Sequence, residues 1–177
     1  LYLHKPEEVN LETNAAYTIQ KANSLGIPVI VVTNQSGIGR GYYDWPDFCA
    51  VQDKMLKELG AKGAYIDAVF ACPYHVSGKG PYIFKNHPDR KPNPGMLLKA
   101  QKLLSIDLHQ SWIVGDRATD LGAGYAARCA GGVHLQTGHG SEMGEDEAAQ
   151  KYQSEYFQVL CCQSIGELPD VIPLFQT

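Results

Sequence analysis

Val29-Ile30-Val31-Val32-Thr33-Asn34-Gln35-Ser36-Gly37 runs from a β-branched apolar block straight into hydroxyls, amides and a glycine. A continuous apolar run bounded by turn residues predicts a strand buried on both faces, as in a parallel sheet. The polar residues past its end then lie at the carboxyl end of a strand, where open α/β sheets bind their ligands. An ordinary strand followed by a polar loop accounts for the same residues, so the neighbouring segments have to decide.

Upstream, Ala15, Ile19, Ala22 and Leu25 recur at helical spacing over 13–25, and Gly26-Ile27-Pro28 stops that helix. Downstream, Ile38 to Asp44 reads as a glycine-rich loop carrying Arg40, Tyr42 and Tyr43. Asp44 and Pro46 open a helix over 46–59 whose apolar stripe is Phe48, Val51, Met55 and Leu59. Further strands are expected at 67–71, 112–115, 133–136 and 157–161. Helices are expected at 94–105 and 118–129, with a closing helix capped by Ser164. Residues 72–92 form a long aperiodic loop, a kind of segment that is often functional. Residues 138–155 read as a polar loop with a frayed helix. Strands alternating with helices at this spacing mean βαβ units and right-handed crossovers. The fold class is therefore α/β, three-layered, with a mainly parallel central sheet in a single domain over 1–177.

The bulk numbers narrow the function. The length of 177 residues suits one domain with a sizeable core, and the 44% hydrophobic and 19% charged content is ordinary for a globular protein. A net charge of −4 gives no electrostatic case for nucleic acid or an acidic membrane surface. No apolar run approaches the ~20 residues of a membrane helix. The five cysteines, Cys49, Cys72, Cys129, Cys161 and Cys162, are irregularly placed and odd in number. That is no disulfide framework, and it suits a reducing cytoplasm. No signal peptide is visible, and the chain opens at Leu1. A monomer is the expectation, since no long apolar stripe is left over.

In a parallel sheet the carboxyl ends of all strands share one edge, and three polar clusters are expected to converge there. Thr33-Asn34-Gln35-Ser36 follows the first strand, Asp116-Arg117-Ala118-Thr119-Asp120 follows the third, and Arg90-Lys91-Pro92-Asn93-Pro94 leads into the helix before it. Asp116 has two readings, the cap of the next helix or a metal ligand. Asp120, one helical turn on, can present a second carboxylate on the same side. Two hard oxygen donors suit Mg²⁺, which binds few carboxylates and completes its shell with water and phosphate. Arg90 and Lys91 can be a solvated pair, but Arg offers phosphate a planar fork and Lys a point charge. Thr33 offers a hydroxyl donor. Together these describe a phosphate site without a nucleophile, because no His spacing gives Ser36 a base.

Three of these segments resemble motifs of the haloacid-dehalogenase (HAD) phosphatases. Val31 to Gly41 is similar to the second motif of that superfamily, Arg90 to Leu97 to its lysine-bearing third, and Ile113 to Asp120 to its metal-binding fourth. Leu3 to Glu8 and Cys72-Pro73-Tyr74-His75 fit its small, capless branch, and the resemblance runs over most of residues 2–137. It implies a Rossmann-like fold without a large cap domain. It also implies a Mg²⁺-dependent phosphomonoester hydrolase working through an aspartyl-phosphate. The substrate would be a small phosphorylated metabolite, a heptose 1,7-bisphosphate first and histidinol phosphate as the alternative. By the same resemblance Thr33 hydrogen-bonds the phosphoryl oxygens and Lys91 stabilises the nucleophile and the transferring group. Asp116 is a metal ligand supported by Asp120, and Asn34, Gln35, Ser36 and Arg90 bind substrate.

Two departures qualify this. The family's Asp-x-Asp motif is absent from the ten Asp of residues 1–177. The expectation is that the strand bearing it lies upstream of Leu1, at the centre of the sheet, and that without it the chain does not turn over. A non-catalytic phosphate-binding domain is the competing reading from another class. In addition, many members of this branch hold Zn²⁺ through Cys-x-His and Cys-x-Cys pairs. Here those positions read Cys72, Tyr74, His87 and Asp89. Zinc is expected to be absent, with prolines and the packing of Tyr82 or Phe84 ordering the loop.

Overall fold

The computed structural model describes residues 2–176. The chain folds as two compact units, the first ending at His87 and the second starting at Pro88.

The first unit carries α1 (Ala15–Ser24), β1 (Ile30–Asn34), α2 (Ser36–Arg40), α3 (Trp45–Gly60) and β2 (Ala68–Cys72). β1 and β2 pair in parallel from Ile30 opposite Ala68 to Asn34 opposite Cys72. All five residues of β1 are half-buried, not buried on both faces as the apolar run predicts. Among the described residues β1 pairs with β2 alone, so one edge of the strand has no ladder partner. α3 starts in a reciprocal cap: the Asp47 N–H donates to Asp44 at 3.0 Å and the Asp44 N–H donates back to Asp47 at 3.0 Å. Its stripe buries Phe48, Val51 and Leu59. Leu59 packs with Ala16 and Ala64, and Phe48 packs with Ile38 and Tyr43.

The expected loop after β1 is instead the short helix α2. Gly41, at φ +76°, closes it. The Gly41 and Tyr42 N–H groups return to the carbonyls of Ile38 (3.0 Å) and Gly37 (2.9 Å), a left-handed C-terminal cap that glycine adopts without steric cost. Periodicity cannot reveal a helix of five residues.

The second unit carries α4 (Gly95–Leu104), β3 (Trp112–Gly115), α5 (Ala118–Ala126), β4 (Gly131–Leu135), α6 (Glu145–Gln150), β5 (Gln158–Cys162) and α7 (Leu168–Val171). Its sheet has the order β3-β4-β5 and is parallel throughout. Every strand pairing is parallel within its own sheet, as expected, and the described residues form two such sheets. α5 lies close on β3 and β4 because its buried face is made of small residues. A methyl group on Gly124 would stand 2.5 Å from Ile113, and one on Gly132 of β4 would stand 2.8 Å from Leu121. Val133, Leu135, Cys162, Leu168 and Ile172 form the core on which the C-terminal segment packs. That segment is not the single capped helix expected. Ser164 makes no side-chain cap bond, and a 3-10 turn, α7 and a second turn succeed one another. Pro169 and Pro173 lack the N–H that a continuous helix would need.

Candidate active site

In the first unit the exit of β1 is held by side-chain hydrogen bonds. The Gln35 N–H donates to the Cys72 carbonyl at 2.8 Å, continuing the ladder one residue past the strand. Its side chain turns back, and Nε2 donates to Thr33 Oγ1 at 2.9 Å. Gln35 Oε1 in turn accepts from the Tyr43 hydroxyl. With its oxygen accepting from Gln35, the Thr33 hydroxyl keeps its own proton to donate. Tyr43 is buried, and burial, with Tyr2 adding to it, pushes its phenol up to about 12. Its ring lies on Gly37, where a methyl group would come within 2.1 Å of Cε1. The buried Ser36 shares a 3.2 Å hydrogen bond with the Tyr2 hydroxyl, which also accepts from Arg40 Nη1 at 3.1 Å. Asn34 closes β1 opposite Cys72. Of the residues read as substrate ligands, Gln35 and Ser36 therefore also hold the turn together.

In the second unit the turn before α4 is closed by its own backbone. The Asn93 N–H donates to the Arg90 carbonyl at 2.8 Å, and the Gly95 N–H donates to the Pro88 carbonyl at 2.9 Å. This aims Lys91 at the start of α5, where Nζ meets Asp120 Oδ1 at 2.7 Å with 12% and 9% of the two side chains exposed. Asp120 Oδ2 accepts from the Arg117 N–H at 3.1 Å. Gly115 leaves the room for this carboxylate, since a methyl group there would stand 2.2 Å from Oδ2.

Asp116 does not cap α5. The cap position is Arg117, and Asp120 serves its N–H. Instead Asp116 Oδ2 accepts from the His139 N–H at 2.8 Å. Gly138, at φ +61°, brings the backbone close, and a methyl group there would stand 2.3 Å from the same oxygen. The loop that supplies this N–H is tied to the start of α5. Arg117 Nη1 binds Glu142 at 2.7 Å and Glu145 at 3.0 Å, and Glu145 also accepts from the Ala118 N–H at 2.7 Å. The Ala118 N–H and then Arg117 hold the Glu145 carboxyl below its usual range. His139 and then Arg117 do the same for Glu142. On β4 the fully buried His134 meets the Gly140 carbonyl through Nε2 at 3.2 Å, pinning the loop from below. None of Tyr43, Tyr2, Gly138, His139, Glu142 and Glu145 is marked by a motif; each acts across a gap in sequence.

Asp116 could offer one carboxylate oxygen to a hard cation such as Mg²⁺. Asp116 uses one oxygen on His139 and keeps the other, and no group of three His, Cys, Asp or Glu suited to a metal occurs among the described residues. A cation that takes one or two carboxylates and fills its shell with water and phosphate suits such a place. Asp120 has both oxygens engaged, by Lys91 and by Arg117. At two of the positions compared with zinc ligands, aromatic rings pack on each other. The Tyr74 and His87 rings stack with centroids 3.8 Å apart at 9°, with Phe84 edge-on to His87 at 4.9 Å and Tyr82 edge-on to Tyr74 at 5.9 Å.

A family model described as HAD-hydrolase-like matches residues 89–160. The chain is 49% identical over 131 residues to the D-glycero-beta-D-manno-heptose-1,7-bisphosphate 7-phosphatase of Mesorhizobium japonicum, a match covering 74% of this chain and 60% of that relative. It is 35% identical over 171 residues to the protein of the same name from Pasteurella multocida, covering 97% of this chain and 88% of the relative. A crystal structure from Mesorhizobium loti, described as HAD-like phosphatase, superposes with TM-score 0.85 at 39% identity, covering 99% of this chain and 78% of that one. The D,D-heptose 1,7-bisphosphate phosphatase of B. bronchiseptica, complexed with magnesium and phosphate, superposes with TM-score 0.78 at 28% identity, covering 99% and 89%. The chain belongs to the haloacid-dehalogenase-like (HAD-like) hydrolases.

Proposed function

We propose that the protein is a phosphomonoester hydrolase acting on D-glycero-D-manno-heptose 1,7-bisphosphate through an aspartyl-phosphate. The observation that carries the reading is the buried Lys91–Asp120 pair one turn from Asp116, in a chain whose relatives bear that activity in their names. Hydrogen bonds support the roles of Thr33 and Lys91, and the resemblance supports the others. Thr33, fixed as a donor by Gln35, binds a phosphoryl oxygen. Lys91, held by Asp120, puts a positive charge where negative charge builds up on the transferring group. Asn34 and Arg90 contact the substrate, and Gln35 and Ser36 shape the turn that receives it. Asp116 would hold Mg²⁺, with Asp120 in support one helical turn on. Bound there, Mg²⁺ offsets the repulsion between a carboxylate and the phosphate it approaches.

The attacking and proton-transferring carboxylates of the family belong to an Asp-x-Asp motif, which residues 1–177 do not contain. The activity is proposed for the protein that carries it. We place that protein in the cytoplasm as a monomer. The five cysteines of residues 1–177 form no disulfide, and no helix among the described residues is long and apolar enough to cross a membrane.

The test is phosphate release from D-glycero-D-manno-heptose 1,7-bisphosphate and from histidinol phosphate, with Mg²⁺ and with a chelator. Release from the bisphosphate that the chelator abolishes supports the proposal. Preference for histidinol phosphate moves the substrate. Binding without release favours the phosphate-binding domain that the missing motif suggests.

A further inference from the structure

We propose that Arg40 and Lys79 form a receptor for the second, non-reacting phosphate of the substrate, an inference that rests on the bisphosphate reading above. Both cations sit at the C-terminal end of α2, in the first unit. The Lys79 N–H donates to the Gly39 carbonyl at 2.7 Å, and its side chain lies over Gly41, with Nζ 3.3 Å from where a methyl group on that glycine would be. Gly41 follows Arg40 directly, so the two charges flank one turn.

The ordinary use of cations at this place is to satisfy the last carbonyls of the helix. Here those carbonyls are already taken by backbone donors: Gly37 by Tyr42, Ile38 by Gly41 and Gly39 by Lys79. Nor does a carboxylate neutralise the charges, since neither Arg40 nor Lys79 makes an ion pair among the described residues. Yet Arg40 is not loose. Its Nη1 donates to the Tyr2 hydroxyl at 3.1 Å, and its guanidinium lies 5.1 Å from the centre of the Tyr42 ring. A guanidinium held in place without an anion, beside an exposed ammonium, is prepared for an anion from solution.

The position sets which anion. Arg40 is linked to Ser36 through the Tyr2 hydroxyl, by hydrogen bonds of 3.1 and 3.2 Å, and Ser36 lies in the turn that follows Thr33. The pair therefore stands about one helical turn beyond the proposed phosphoryl site. A sugar carrying phosphates at its two ends places its second charge away from the reacting one. A monophosphate leaves the pair unused, so the two cations select the bisphosphate.

The experiment compares kcat/KM for D-glycero-D-manno-heptose 1,7-bisphosphate with that for the heptose 7-phosphate, in the wild type, Arg40→Met, Lys79→Met and the double variant. The ratio of bisphosphate to monophosphate should fall at least ten-fold in Arg40→Met and further in the double variant, through KM and not kcat. Arg40→Lys should restore part of it. An unchanged ratio, or an equal loss on both substrates, overturns the proposal. If the wild type releases phosphate from neither, the hydrolase reading fails by itself, and calorimetric titration with the same two compounds decides. A preference for the bisphosphate that Arg40→Met and Lys79→Met remove upholds the receptor, and binding without that preference overturns it.

Discussion

Lys91 Nζ and Asp120 Oδ1 stand 2.7 Å apart, with only 12% and 9% of their side chains exposed. A buried pair of this kind couples function to stability, because removing one member strands the other. Lys91→Met should cost about 3 kcal/mol, the lower end for an uncompensated buried charge. The double variant Lys91→Met/Asp120→Asn should recover part of that loss. Phosphate release should fall by roughly 10²- to 10³-fold in Lys91→Met, the scale for losing one transition-state donor, and stay low in the double variant. Denaturant midpoints and initial rates separate the two effects. Stability that falls further in the double variant would contradict the pairing.

Gly138 and Asp116 make a second prediction. A methyl group at 138 would meet Asp116 Oδ2 at 2.3 Å, and φ is +61°, so Gly138→Ala must move the carboxylate or the loop. The fold should survive with a loss of about 1–3 kcal/mol, as for overpacking elsewhere. The Mg²⁺ concentration for half-maximal activity should rise while KM for the sugar changes little. Asp116→Asn should remove most activity at any Mg²⁺ concentration. An unaltered magnesium dependence in Gly138→Ala would detach His139 from the metal site.

How much of this could be read in the chain follows from the range of the interactions. The strand 30–34 shows in the sequence because its β-branched block is local, and α3 because Asp44, Pro46 and the apolar stripe all fall within one element. Lys91 and Asp116 stand in motifs with fixed neighbours. The carboxylate pairing is different. Asp120 looks like a second metal donor in the sequence, yet it spends its oxygens on Lys91, 29 positions back, and on the Arg117 N–H. Likewise the donor to Asp116 is a backbone N–H 23 residues away, and a backbone group carries no side-chain signature. α2 escaped because one glycine, Gly41, ends it after five residues.

Tyr43 and Gln35 give the third prediction. The Tyr43 hydroxyl donates to the amide that orients Thr33, and Tyr43→Phe keeps the ring over Gly37 while deleting that bond. Stability should drop by about 1 kcal/mol, the net worth of one such bond, and phosphate release should fall by a larger factor than that bond alone explains. Tyr43 also titrates distinctively. Its folded value is raised to about 12, first by burial. The stability it contributes is therefore complete below about 10, the ordinary phenol value, and is lost as pH rises from there toward 12. Difference absorbance of the phenolate against pH, wild type minus Tyr43→Phe, should show one late-titrating tyrosine. A phenol ionising at its ordinary value would remove the burial argument.

Glu145 sets the acid limit of the loop that serves Asp116. The Ala118 N–H, and after it Arg117, lowers its folded pKa below the ordinary 4.5. The sign is that of a stabilised carboxylate. The contribution is fully present above the unfolded value and is lost as pH falls from there through the folded value. Glu145 is tied to the same Arg117 that binds Glu142, and Glu142 is held low by His139 and Arg117. Acidification should therefore release the segment 139–145 from α5 before the core opens. Amide exchange should show this as loss of protection at Ala118 and His139 below about pH 4.5, while Val133 and Leu135 in β4 stay protected. Glu145→Gln should keep the acceptor for Ala118 but lose the charge. Its protection at His139 should then be lower at neutral pH and flatter against acid. Simultaneous loss of protection in the loop and in β4 would mean that the acid transition is global and that Glu145 does not govern it.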